Sequence, residues 1–121
     1  MLLPILVVDD EVDLVASYER LLRRKGFQIV SAGSRGEGLT LVACEPLALV
    51  ITDLRLPDGD GLDLVRAARR LPTPTPSMVV TGFASEASRT ASMAAGASAF
   101  LAKPFAAASF TSLVERALRD G

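Results

Sequence analysis

Five times along the chain a short apolar run gives way to a longer stretch of helical period, and this alternation leaves few architectures open. Ile5–Val8 reads as a buried strand, after which Leu14, Val15, Tyr18, Leu21 and Leu22 recur at helical spacing until Gly26 stops the helix. Phe27–Ala32 reads as a second strand, and Ser34 with Glu37 has the form of a capping box opening a helix that ends near Pro46. Leu47–Thr52 is the third strand, and a loop of Pro, Asp and Gly leads into a helix over Gly61–Leu71. "PTPTP", Pro72–Pro76, denies backbone donors and reads as a surface connection rather than a linker between domains. Ser77–Thr81, Ser85–Ala95 with Gly96 behind it, and Ala99–Ala102 complete the alternation, and Phe110, Leu113, Val114, Ala117 and Leu118 form one stripe on a last helix.

Strands and helices of these lengths predict right-handed βαβ crossovers and a parallel sheet covered on both faces. The expected fold is α/β: a flavodoxin-like three-layer sandwich with five parallel strands in the order 2-1-3-4-5 and five helices. With 121 residues, half of them apolar, the chain suits one core and one domain spanning residues 1–121.

Composition removes several kinds of chemistry. Thirteen basic against fourteen acidic side chains leave a net charge of −1, which lacks the basic footprint of a nucleic-acid binder. There is no histidine, so imidazole-bound zinc and histidine-activated nucleophiles are excluded. The single cysteine, Cys44, has no internal disulfide partner and is expected to be a small buried residue of a helix. No signal-peptide pattern and no apolar run of membrane-spanning length is present, so the expected location is the cytoplasm.

In a parallel sheet the residues just past the strand ends gather on one rim. Asp9 and Asp10 follow the first strand, Asp53 the third, Thr81 ends the fourth and Lys103 follows the fifth. The switch point between strands one and three, where open α/β sheets bind ligands, is thus lined by three aspartates. Two carboxylates about 4 Å apart repel by roughly 4 kcal/mol at an effective dielectric of about 20, so a cation belongs among them. Magnesium suits oxygen ligands and keeps waters that a phosphoryl oxygen can replace. A carboxylate beside a divalent ion and an ammonium can attack phosphorus, and Asp53, alone at the end of the central strand, is the candidate nucleophile. Asp9 and Asp10 each also fit the plainer role of helix N-cap, and Asp58 and Asp60 read as turn formers.

The "DD" pair at Asp9 and Asp10, "TDLRLPDGDG" around Asp53, "VVTG" around Thr81 and "FLAKPF" around Lys103 stand in order at predicted strand ends. In these motifs the chain resembles the receiver domain of bacterial two-component response regulators over essentially its whole length. The resemblance implies that Asp53 accepts a phosphoryl group from the phosphohistidine of a sensor histidine kinase or phosphotransfer protein. It implies Asp10 as the principal Mg2+ ligand, Asp9 as a direct or water-mediated one, and the backbone carbonyl of Arg55 as another. Thr81 and Lys103 would contact the phosphoryl oxygens, the Lys103–Pro104 bond would be cis, and Thr81 with Phe100 would form the conformational switch. Phe100 also fits the role of a buried strand aromatic.

The readout surface implied is the fourth helix, fifth strand and last helix, serving an output domain or a homodimer. The fourth helix, "SEASRTASMAAGA", is mostly small residues, which fits close apolar packing better than interlocking salt bridges. Two rival functions stand beside this one. A haloacid-dehalogenase-type phosphohydrolase needs a second acid two positions after its nucleophile, and that position here is Arg55. A receiver-like interaction module that is never phosphorylated usually lacks an acid, the threonine or the lysine, all of which this chain keeps. Arg55 and Phe83, each two positions beyond a site residue, are large enough to shield the site from water, which predicts slow to moderate self-dephosphorylation. The chain is expected to be the receiver cut from a larger protein, with a single-domain regulator as the alternative.

Overall fold

The computed structural model describes residues 3–120. One parallel sheet contains β1 (Ile5–Val8), β2 (Ile29–Ala32), β3 (Leu49–Thr52), β4 (Ser77–Thr81) and β5 (Ala99–Ala102), in the spatial order β2-β1-β3-β4-β5. Between and after them lie α1 (Val12–Arg24), α2 (Arg35–Cys44), α3 (Leu62–Arg69), α4 (Glu86–Ala95) and α5 (Ala107–Asp120). Strand order and helix number are those expected.

The central strands β1 and β3 are buried along their whole length, as their unbroken apolar runs require. Successive side chains of β1 divide between the two faces. Ile5 and Val7 pack with Tyr18 and Leu22 of α1 and with Phe110, Val114 and Ala117 of α5. Leu6 and Val8 face Val42 of α2 and Leu64 and Ala68 of α3. Full burial of each such side chain stabilises the fold by roughly 1.5–3 kcal/mol, so the two faces hold the sheet in register.

On the α1/α5 face Tyr18 stacks on Phe110 at 4.9 Å and on Phe105 at 5.9 Å between ring centroids. Its hydroxyl finds no partner among the described residues, and burial pushes the phenol well above its ordinary range.

Several boundaries differ from expectation. Phe27, Gln28, Leu47 and Ala48 precede their strands, and Arg70 and Leu71 lie beyond α3. A two-residue antiparallel hairpin, Arg55–Leu56 with Gly59–Asp60, fills the loop after β3. Cys44 is exposed rather than buried, because Gly38 and Val42 carry the inward face of α2 and Cys44 lies about 200° around the helix from Val42. Gly36 and Gly38 lie within the first turns of α2. Ser34 accepts from the Glu37 N–H at 3.2 Å as the capping box requires, yet Glu37 reaches back to the Gly33 N–H at 2.9 Å, one residue before the cap.

Candidate functional site

Parallel pairing brings the strand ends level: Val8 lies opposite both Ala32 and Thr52, and Thr81 opposite Ala102. The next residue of β1, β3 and β5 is Asp9, Asp53 and Lys103, and each projects from the same edge of the sheet. Asp53 is fixed at its backbone, where its N–H donates to the Val8 carbonyl at 3.1 Å and its carbonyl accepts from Thr52 Oγ1 at 2.8 Å. Gly61 closes the hairpin loop against its back. A Cβ at position 61 would overlap the Asp53 carbonyl oxygen and come within 2.9 Å of Thr52 Oγ1.

The ammonium of Lys103 joins the carboxylates. Its Nζ lies 2.7 Å from Asp53 Oδ2, 2.9 Å from Asp9 Oδ2 and 3.3 Å from Glu11 Oε1. The other Asp53 oxygen accepts from the Arg55 N–H at 3.3 Å, and Asp9 Oδ1 accepts from the Glu11 N–H at 2.9 Å. The side chains of Asp9 and Asp53 are 2% and 6% exposed. The Lys103–Pro104 bond is cis, as expected.

Charge at this edge is incompletely balanced. One oxygen from each of Asp9, Glu11 and Asp53 lies within 4.8 Å of the others, and one ammonium serves all three. Burial pushes the Asp9 carboxyl up, although the Glu11 N–H and Lys103 both stabilise its charged form. Burial disfavours the Lys103 ammonium, but its bonds to Asp53 and Asp9 outweigh that and hold it well above the ordinary lysine range. A compact set of hard oxygen donors with excess negative charge fits a hard divalent cation. The cluster could hold such an ion.

Of the residues singled out in the sequence, Asp9, Asp53 and Lys103 are in mutual contact. Asp10 is exposed, lies outside the three-carboxylate set, and lines a neighbouring groove with Ala16 and Glu37. Thr81 is fully buried, and its hydroxyl oxygen accepts from the Phe83 N–H at 3.1 Å. Phe100 is half-buried and packs with Leu62, Val65, Val79 and Ala97. The Arg55 guanidinium lies 3.8 Å from the centroid of the exposed Phe83 ring, so the segments two residues beyond Asp53 and Thr81 are in contact. Glu11 went unnoticed in the sequence, although it is the third consecutive acid after β1.

The model of the family described as the response regulator receiver domain matches residues 5–115. The chain belongs to this receiver-domain family. It is similar to the response regulator protein PilR of Pseudomonas aeruginosa, 40% identical over 94% of this chain and 26% of PilR, so it spans about a quarter of that relative. A CheY-like receiver domain protein from Methanospirillum hungatei is 31% identical with a TM-score of 0.92, covering 99% of this chain and 96% of the other. A response regulator from Burkholderia pseudomallei, solved with a phosphorylated aspartic acid, calcium ion and citrate, is 28% identical with a TM-score of 0.85, covering 97% of this chain and 69% of that one. This receiver domain is therefore a signalling domain, of a family that receives phosphate from sensor kinases. Among its described residues no helix is long and apolar enough to cross a membrane.

Proposed function

We propose that residues 1–121 act as one receiver unit in which Asp53 takes a phosphoryl group from the phosphohistidine of a sensor histidine kinase or phosphotransfer protein. An Asp53 oxygen attacks phosphorus, the P–N bond breaks, and the histidine nitrogen keeps the electron pair and is protonated. These 121 residues contain no histidine, so the donor histidine lies outside them. The observation that carries this reading is the Lys103 ammonium bonded to Asp53 Oδ2 at 2.7 Å on the edge shared with Asp9.

Mg2+ would be held by Asp9, Asp10, Asp53 and the Arg55 carbonyl, with Glu11 nearby, and would offset charge on the phosphoryl oxygens. Lys103 and the Thr81 hydroxyl then bind those oxygens. To do so Thr81 turns its hydroxyl from the Phe83 N–H toward the phosphoryl group, and Phe100 moves into the space it vacates. The equilibrium shifts by the contacts that only the modified state makes. The face of α4, β5 and α5 passes the change to an output domain or a second copy, in the cytoplasm and without direct nucleic-acid contact by this segment.

Intact mass after incubation with Mg2+ and an acyl phosphate tests this reading. A phosphoryl adduct that disappears in Asp53→Asn is expected; no adduct would favour an interaction module that is never phosphorylated.

We infer slow to moderate self-dephosphorylation, because Arg55 and Phe83, two positions beyond Asp53 and Thr81, stack on each other and their bulk would shield Asp53 from water. Arg55→Ala is expected to shorten the phosphoryl lifetime about two- to five-fold, the factor matching an exposed cation–π contact of about 0.5–1 kcal/mol. Decay of the adduct mass gives that lifetime, and an unchanged value would remove shielding from the mechanism.

A further inference from the structure

We propose that Glu11 is a positioning residue for Lys103, holding its ammonium in the unmodified protein and releasing it to a phosphoryl group on Asp53. The inference rests on the phosphoacceptor reading of Asp53. An ammonium has three donors, and here three carboxylates take them: Asp53 at 2.7 Å, Asp9 at 2.9 Å and Glu11 at 3.3 Å. A phosphoryl oxygen can bond Lys103 only if one of the three lets go. Asp9 and Asp53 are buried, so releasing the cation from either leaves an uncompensated charge away from water. The Glu11 side chain is 63% exposed and makes the longest of the bonds, so water replaces Lys103 there at little cost.

The local structure supports the assignment. Glu11 is the N-cap residue of α1, a position where Ser, Thr, Asp and Asn are preferred, and its side chain makes no capping bond. Its backbone N–H is taken by Asp9 Oδ1 instead. Its carboxylate therefore has no part in closing the helix, and it spans 92 positions of sequence to reach Lys103. At the open side of the site it also adds negative charge, which opposes the approach of an anionic donor and favours a divalent cation.

Glu11→Gln keeps the length and one acceptor oxygen and removes the charge. Acetylation of the unmodified protein with an amine-reactive reagent, mapped by peptide mass, compares Lys103 with Lys25, the chain's other lysine. Lys103 labelling is expected to rise about two- to five-fold in the variant relative to Lys25, the range of an exposed ion pair. With acetyl phosphate and Mg2+ the variant is expected to form its Asp53 adduct faster at low salt, with the gain shrinking as ionic strength rises, and to bind Mg2+ more weakly by calorimetry. Unchanged Lys103 labelling, or an adduct rate that ignores salt, would overturn the role of Glu11. An adduct that is missing in the unsubstituted protein, or that survives Asp53→Asn, would instead overturn the phosphoacceptor reading, while the labelling result still reports on the Glu11–Lys103 contact.

Discussion

Gly61 contributes to the site through what it lacks, because the loop after β3 folds back so tightly that only a hydrogen fits against the Asp53 carbonyl. Gly61→Ala must push the end of β3 or the start of α3 aside. A cost of about 2 kcal/mol is expected, typical of forcing atoms into a packed site, together with slower adduct formation as Asp53 shifts. Urea unfolding beside intact mass checks both, and unchanged stability would show that the loop yields freely. The sequence placed this glycine at the start of the helix that follows the Pro-Asp-Gly loop, since composition reports a turn but not what the turn packs against. Asp9, Asp53 and Lys103 were legible because each directly follows a strand. Glu11 was not, because its contact with Lys103 depends on the direction in which the first residue before α1 leaves the sheet.

Asp58 joins two elements. Its carboxylate accepts from the Arg35 and Gly36 N–H groups at 2.6 and 2.8 Å, closing the N-terminus of α2 from a loop more than twenty residues away. Arg35 in turn donates to Asp63 in the first turn of α3 at 2.7 Å, so the loop carrying Asp53 is tied to α2 and α3 together. The Gly36 and Arg35 backbone bonds hold the Asp58 carboxyl below its ordinary range. A lowered native value means that this stabilisation is complete above the unfolded value of about 3.9 and is lost as the pH falls through the native one. Asp58→Asn is expected to flatten the loss of thermal stability on acidification below about pH 4. Matching melting profiles for the two proteins between neutral and acid pH would contradict it. The sequence placed Asp58 in a turn but showed nothing of its second role, which no local spacing encodes.

Across the whole molecule, Lys103 compensates carboxylates that chain order keeps 50 and 94 positions away. Its ammonium is held above the ordinary range, so its stabilisation is fully present below the unfolded value of about 10.4 and is lost only as the pH rises through the native one. Lys103→Met leaves Asp9 and Asp53 buried without their cation and is expected to cost about 3 kcal/mol at pH 7. Mg2+ should restore part of that loss, and the gap should narrow on acidification as Asp9, whose carboxyl burial pushes up, takes a proton. Urea unfolding at pH 7 and pH 5, with and without Mg2+, measures both effects; a variant as stable as its parent at pH 7 would show that the carboxylates tolerate each other. The alternation of short apolar runs with stretches of helical period was enough to set the α/β class, the five-strand order and the edge on which Asp53 and Lys103 meet, because right-handed crossovers leave a parallel sheet little freedom. Only the tertiary structure decided that Glu11 rather than Asp10 reaches Lys103, that Asp58 closes α2, that Arg55 stacks on Phe83 and that Cys44 is exposed. Those outcomes depend on loop direction and side-chain rotation across elements distant in sequence, and periodicity carries information only along the chain.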